Sequence, residues 1–130
     1  MDHLLLLVEQ HGLRLIERPG PSRGGFDPST STIRLAPGMS TRTTCSVLAH
    51  ELAHAVLGHT PTADPTARAR QEHRADEWAA RLLITPEGYA AAERTRGPHL
   101  ASLAFELGVT VEIVAAYQRL LARAHPLGAA

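Results

Sequence analysis

The chain has 130 residues, with 13 basic and 13 acidic side chains and no formal net charge. That length suits one domain, residues 1–130, with a core of its own, and the charge balance excludes a field that would gather nucleic acid or an anionic membrane. Every basic residue is arginine, and the lone cysteine, Cys45, excludes an internal disulfide and gives no sign of an oxidising compartment.

The apolar run Leu4-Leu5-Leu6-Leu7-Val8 is too short to span a membrane. It follows Asp2 rather than a basic segment, and no small-residue cleavage site comes after it. It reads as part of a first helix over 2–11, closed by Gly12, in a cytoplasmic protein without membrane contact. Residues Leu13 to Arg18 then roughly alternate and predict a strand. Pro19-Gly20-Pro21-Ser22 turns the chain, Arg23 to Asp27 is a second strand, and Pro28 to Ser31 turns it again. Thr32 to Ala36 is a third strand, ended by Pro37-Gly38. Because the connections are short, a small antiparallel sheet is expected.

Ser40 or Thr41 caps the next helix, which runs from about Thr43 to about Gly58. It carries His50-Glu51-Leu52-Ala53-His54, the pattern H-E-x-x-H. Residues four apart lie on one face of a helix, so the two imidazoles project side by side. So placed, they can grip one zinc ion at ~2.0–2.1 Å each. Glu51 sits about 100° around the helix, where it can act as a general base without being a ligand. The flanking Val47, Leu48, Leu52, Ala53, Ala55, Val56 and Leu57 are apolar, so the helix is expected to be buried. Two histidines and a glutamate in such surroundings are costly unless something satisfies them. Cys45, on the same helix, reads as a small apolar filler pointing away from His50.

Residues 60–66 hold two prolines and read as a loop, followed by a long helix from Ala67 to about Ile84. Thr85 caps a short helix over 86–94, Gly97-Pro98 breaks the chain, and a further helix covers 99–107 up to Gly108. Thr110 caps the last one, 111–124, before His125-Pro126, and Gly128-Ala129-Ala130 reads as a frayed tail. The expected fold class is therefore α+β: a small zincin-like domain, its short sheet packed on the H-E-x-x-H helix and several further helices.

A catalytic zinc takes three protein ligands and leaves a fourth position for water. His59 is one candidate for the third, but it stands five residues after His54 and points opposite His50 on an ideal helix. The bland reading is a histidine near the last helix carbonyls. Glu72 and Asp76 are the better pair, four residues apart on a stripe continued by Ala79 and Leu83. One carboxylate would bind the metal and the other would orient a ligand histidine through its second ring nitrogen. Glu77, about 100° from Asp76, fits a solvated face, while Trp78, Leu82 and Leu83 are expected in the core.

The segments HELAHAVLGH, from His50, and EHRADEWAARLLIT, from Glu72, together resemble the ImmA/IrrE family of zinc metallopeptidases. In that family the second motif runs E-x-E-A-N-x-F-A-x-x-L-L-x-P, and Glu72, Ala75, Trp78, Ala79, Leu82 and Leu83 fall on its positions. Asp76 stands for the usual Asn, while Arg74 and Thr85 depart from the usual acid and proline. The segment Leu103 to Thr110 also looks like the family's stretch after the active site. The resemblance covers roughly residues 32–121. It implies that His50, His54 and Glu72 bind Zn2+ and that Glu51 is the catalytic acid–base; Asp76, one helical turn after Glu72, is then placed to receive an imidazole N–H. The resemblance further implies a cytoplasmic peptidase of bacteria, phages or mobile elements whose protein substrate is a transcriptional repressor. By analogy with compact zinc peptidases, the strand before the zinc helix would be the edge that takes an extended substrate.

Two other classes of function stand beside this one. A zinc-binding regulator or anti-repressor would act without proteolysis. The segment Leu103 to Val114 could instead be a helix-turn-helix with Gly108 in the turn. Its second helix, however, offers no Arg, Lys, Asn or Gln over 111–116 to read bases, so no direct nucleic-acid binding is expected.

Overall fold

A computed structural model describes residues 1–124; the expected frayed tail lies outside the described residues. The elements run α1 (Asp2–Gln10), β1 (Arg14–Glu17), β2 (Gly24–Asp27), β3 (Thr32–Leu35), α2 (Thr41–Val56), α3 (Pro65–Leu83), α4 (Pro86–Arg96), α5 (Leu100–Leu107) and α6 (Val111–Ala124). This is the expected α+β, zincin-like arrangement of a small sheet on a central helix.

Local chemistry sets most of the boundaries. The Ser40 hydroxyl accepts from the Thr43 amide at the start of α2, and Thr85 does the same for Gly88 in α4. Asp64 caps α3 and Pro65 occupies its first turn, so the helix begins two residues before the predicted Ala67. Proline suits that position because the first helical amides lack partners anyway. Gly108 ends α5 in the left-handed conformation, φ 69°.

The sheet is mixed rather than antiparallel. Its order is β1-β3-β2, with β1 parallel to β3 and β2 antiparallel to it. The reason lies in β3, where Ile33 and Leu35 are buried on one face. The strand with the most apolar surface to bury takes the centre above α2. The mostly exposed β1 and the glycine-bearing β2 flank it.

Helix α2 packs against α1, α3, β2 and β3. Its Val47, Leu48, Ala49, Leu52 and Ala53 are buried, whereas Val56 and Leu57 are exposed, so burial stops one turn short of the helix end. Cys45 is free and partly buried against the core. On α3 the fully buried residues are Ala75, Ala79 and Ala80. Small side chains there let α3 approach α2 closely, because interaxial distance follows side-chain size at the contact. Trp78, Leu82 and Leu83 pack at the core margin, only partly buried.

Helices α5 and α6 meet at 104°. Leu103, Ala104, Ile113, Val114, Ala116 and Tyr117 are buried in the same core, so the helix-turn-helix pair covers the interior. Among the described residues no single helix is long and apolar enough to cross a membrane.

Glu77 departs from its expected solvated setting. Its side chain is only 14 % exposed and binds Arg123 at 2.6 Å and Arg119 at 3.1 Å, tying α3 to α6. These hydrogen bonds, Arg123's first, hold its carboxyl below the ordinary value of 4.5. A depressed folded value means that its contribution is complete above about 4.5 and lost as the pH falls through the folded value. Glu77→Gln should therefore cost about 1 kcal/mol in urea melts near neutral pH. The gap from wild type should narrow as the pH falls below that range. A constant gap would show that the charge is not what matters.

Candidate metal centre

Helix period brings His50 and His54 together as predicted, with their Nε2 atoms 3.1 Å apart and rings nearly perpendicular. The second half of the site comes from α3. Glu72 Oε2 lies 2.7 Å from His50 Nε2, and its Oε1 lies 3.3 Å from His54 Nε2. Two zinc ligands at tetrahedral angles stand about 3.3 Å apart, given bonds of ~2.0–2.1 Å. The three side chains offer ligand atoms within 4.8 Å of one another, so this donor set could hold a metal ion. Imidazole and carboxylate in that combination suit zinc.

Asp76 meets His50 from the other side of the ring. Its Oδ1 accepts from His50 Nδ1 at 2.7 Å, on the side of the ring away from Glu72. Burial alone would lower the His50 imidazole, but hydrogen bonds to Asp76 and Glu72 outweigh it and push the group up to about 10. The same contacts, from His50 first and then His54, hold Glu72 well below the usual carboxylate range. Their charges are thus coupled across a short contact, and metal and protons compete for the same atoms.

Glu51 is buried, 7 % exposed, on the same helix. Burial raises its carboxyl above the ordinary value, opposed by His50 and His54. It faces β2 closely: a Cβ on Gly24 would stand 3.3 Å from Glu51 Oε2 and 2.5 Å from Val47 Cγ1. Only glycine lets this strand lie so near the helix. Gly24→Ala should cost about 1–3 kcal/mol through overpacking, read in denaturant melts. Wild-type stability would show that β2 can yield without consequence.

The edge that borders the site is therefore β2, not the third strand, because β3 lies between its two neighbours. The loop before β2 is pinned by Arg34, which donates to the Arg18 and Ser22 carbonyls. The cleft has a volume of about 650 Å³ and is lined by β2, by His50, His54 and Glu72, by the segment His59–Thr62 and by the start of α6. The Ser46 hydroxyl accepts from the Thr110 amide, fixing the start of α6 to α2. Arg23 and Glu112 meet at 3.3 Å on the rim.

Tyr89, His99 and Tyr117 do not line this cleft. The tyrosines are buried against each other, and the Tyr89 hydroxyl accepts from Gln118.

His59 lies near the last helix carbonyls as expected, but its ring does not point away from the site as ideal helix geometry predicts. Its Nδ1 lies 2.9 Å from His54 Nδ1. Gly58 adopts φ 70°, so the helix does not continue and its ideal geometry no longer applies. The left-handed turn carries His59 back over the last turn, where its amide donates to the His54 carbonyl at 3.0 Å. Gly58 was the available signal. Burial, then the neighbouring His54 and Arg74, lower the His59 imidazole below its ordinary value.

Residues 8–118 match the model of a protein family, Peptidase_M78, described as IrrE N-terminal-like domain. No curated protein matches the chain.

Proposed function

Because the chain belongs to the Peptidase_M78 family of IrrE N-terminal-like domains, a metallopeptidase family, we propose that it is a zinc-dependent endopeptidase of the cytoplasm. Its substrate in this reading is one specific protein, a transcriptional repressor, whose cleavage switches on phage or mobile-element genes. The observation that carries the reading is the meeting of His50, His54 and Glu72 beside buried Glu51.

His50, His54 and Glu72 would hold the ion, with Asp76 orienting His50 through Nδ1. Bound there, zinc supplies Lewis acidity that acidifies water and polarises a peptide carbonyl. Glu51 takes the proton of the attacking water and then delivers it to the leaving amine. Burial raises its carboxyl above the ordinary value, which makes it a better base than an exposed glutamate. The free edge of β2 offers main-chain donors and acceptors to an extended peptide, which would add as a further strand. Gly24 supports this role by keeping that edge close to Glu51.

The test is co-expression with whatever transcriptional repressor its neighbouring genes encode. Wild type should yield repressor fragments, and His50→Ala and Glu51→Gln should leave the repressor intact. Induction of the silenced genes with an uncleaved repressor would replace this reading with a non-proteolytic anti-repressor.

A further inference from the structure

We propose that His59 is a positioning residue for His54, doing for that ring what Asp76 does for His50. The inference rests on the metal-centre reading given above and goes beyond it.

The geometry is reciprocal around the two imidazoles. Each turns its Nε2 toward Glu72 and its Nδ1 toward an outer partner, Asp76 Oδ1 at 2.7 Å for His50 and His59 Nδ1 at 2.9 Å for His54. A histidine that binds a metal through Nε2 carries its ring proton on Nδ1 and needs an acceptor there. His59 Nδ1 is that acceptor, provided its own proton lies on Nε2. The ring also stacks edgewise on His54, centroids 5.1 Å apart, which limits rotation of both.

The backbone prepares this contact. Gly58 takes the left-handed conformation, and the His59 amide donates to the His54 carbonyl, so the residue is tied to its partner twice. One outer partner is then an acid borne on another helix. The other is an imidazole that follows the end of α2. An imidazole acceptor orients His54 without adding a further negative charge to a site already flanked by Glu51, Glu72 and Asp76.

The experiment compares wild type, His59→Phe, His59→Asn and His50→Ala in a competitive chelator titration with zinc. The cobalt-substituted absorption spectrum is recorded for each, and folding is checked by thermal melts. Phenylalanine fills the space of the ring but accepts nothing at Nδ1, whereas the asparagine side-chain oxygen falls near that atom. His59→Phe should lose about 10–100-fold in zinc affinity, the range for an outer-shell partner, with a changed cobalt spectrum. His59→Asn should recover most of the affinity and the wild-type spectrum. Wild-type affinity and spectrum in His59→Phe overturn the assignment, as does equal weakening of both His59 variants. If wild type binds no more tightly than His50→Ala, the metal-centre reading fails and this inference fails with it.

Discussion

Glu51→Gln should silence peptide hydrolysis while leaving zinc content and fold intact. The substitution keeps the size and shape of a buried side chain and removes only its basicity. An amide oxygen does not take a proton from water near neutral pH, so the attack loses its base and the amine its acid. General acid–base catalysis contributes ~10²–10⁴-fold, and a loss of that size or larger is expected here. The fold should not suffer. Burial already disfavours the Glu51 carboxylate and pushes its pKa up, and a neutral amide is cheaper to bury than a charge. Metal content should also hold, because the candidate ligand set is His50, His54 and Glu72. The measurement is cleavage rate, elemental zinc and melting temperature on one preparation. A rate within about tenfold of wild type would remove Glu51 from the mechanism.

Glu72→Ala should strip most of the zinc, and Asp76→Ala should weaken it less. The two carboxylates are one helical turn apart on α3, yet they meet different atoms. Glu72 presents an oxygen to each histidine Nε2, at 2.7 and 3.3 Å, whereas Asp76 meets His50 at Nδ1. Removing a ligand breaks a metal bond outright. Removing an outer partner frees a ring to rotate, which costs ~10–100-fold in affinity. Neither effect should be confused with unfolding. The Glu72 side chain is half exposed at the mouth of the cleft, so truncation leaves no buried cavity. Competitive chelator titration ranks the variants, with Glu77→Ala near wild type because its partners are Arg119 and Arg123. If His59→Ala strips the metal while Glu72→Ala keeps it, the ligand assignment is wrong.

Much of this was written in local patterns. The spacing of His50, Glu51 and His54 sufficed to place them, because a helix period is a property of the backbone. The four-residue step from Glu72 to Asp76 likewise put both acids on one face. Ser40 and Thr85 announced their helices, since a hydroxyl accepting from an amide three residues on is a local event. What the pattern left open was decided between segments far apart in the chain. Strand order followed from which strand had most apolar surface to bury, so β3 took the centre and β2 the edge beside Glu51. Glu77 looked solvated until α6 brought Arg123 to it across 46 positions. The pairing of Glu72 with both histidines needed α3 to close on α2 over Ala75 and Ala79. His59 lay only five positions from His54, yet Gly58 φ 70° ended the periodicity on which the extrapolation depended. Periodicity carries information along a continuous helix; past a left-handed turn or across a packed interface, only the tertiary structure decides which side chains meet.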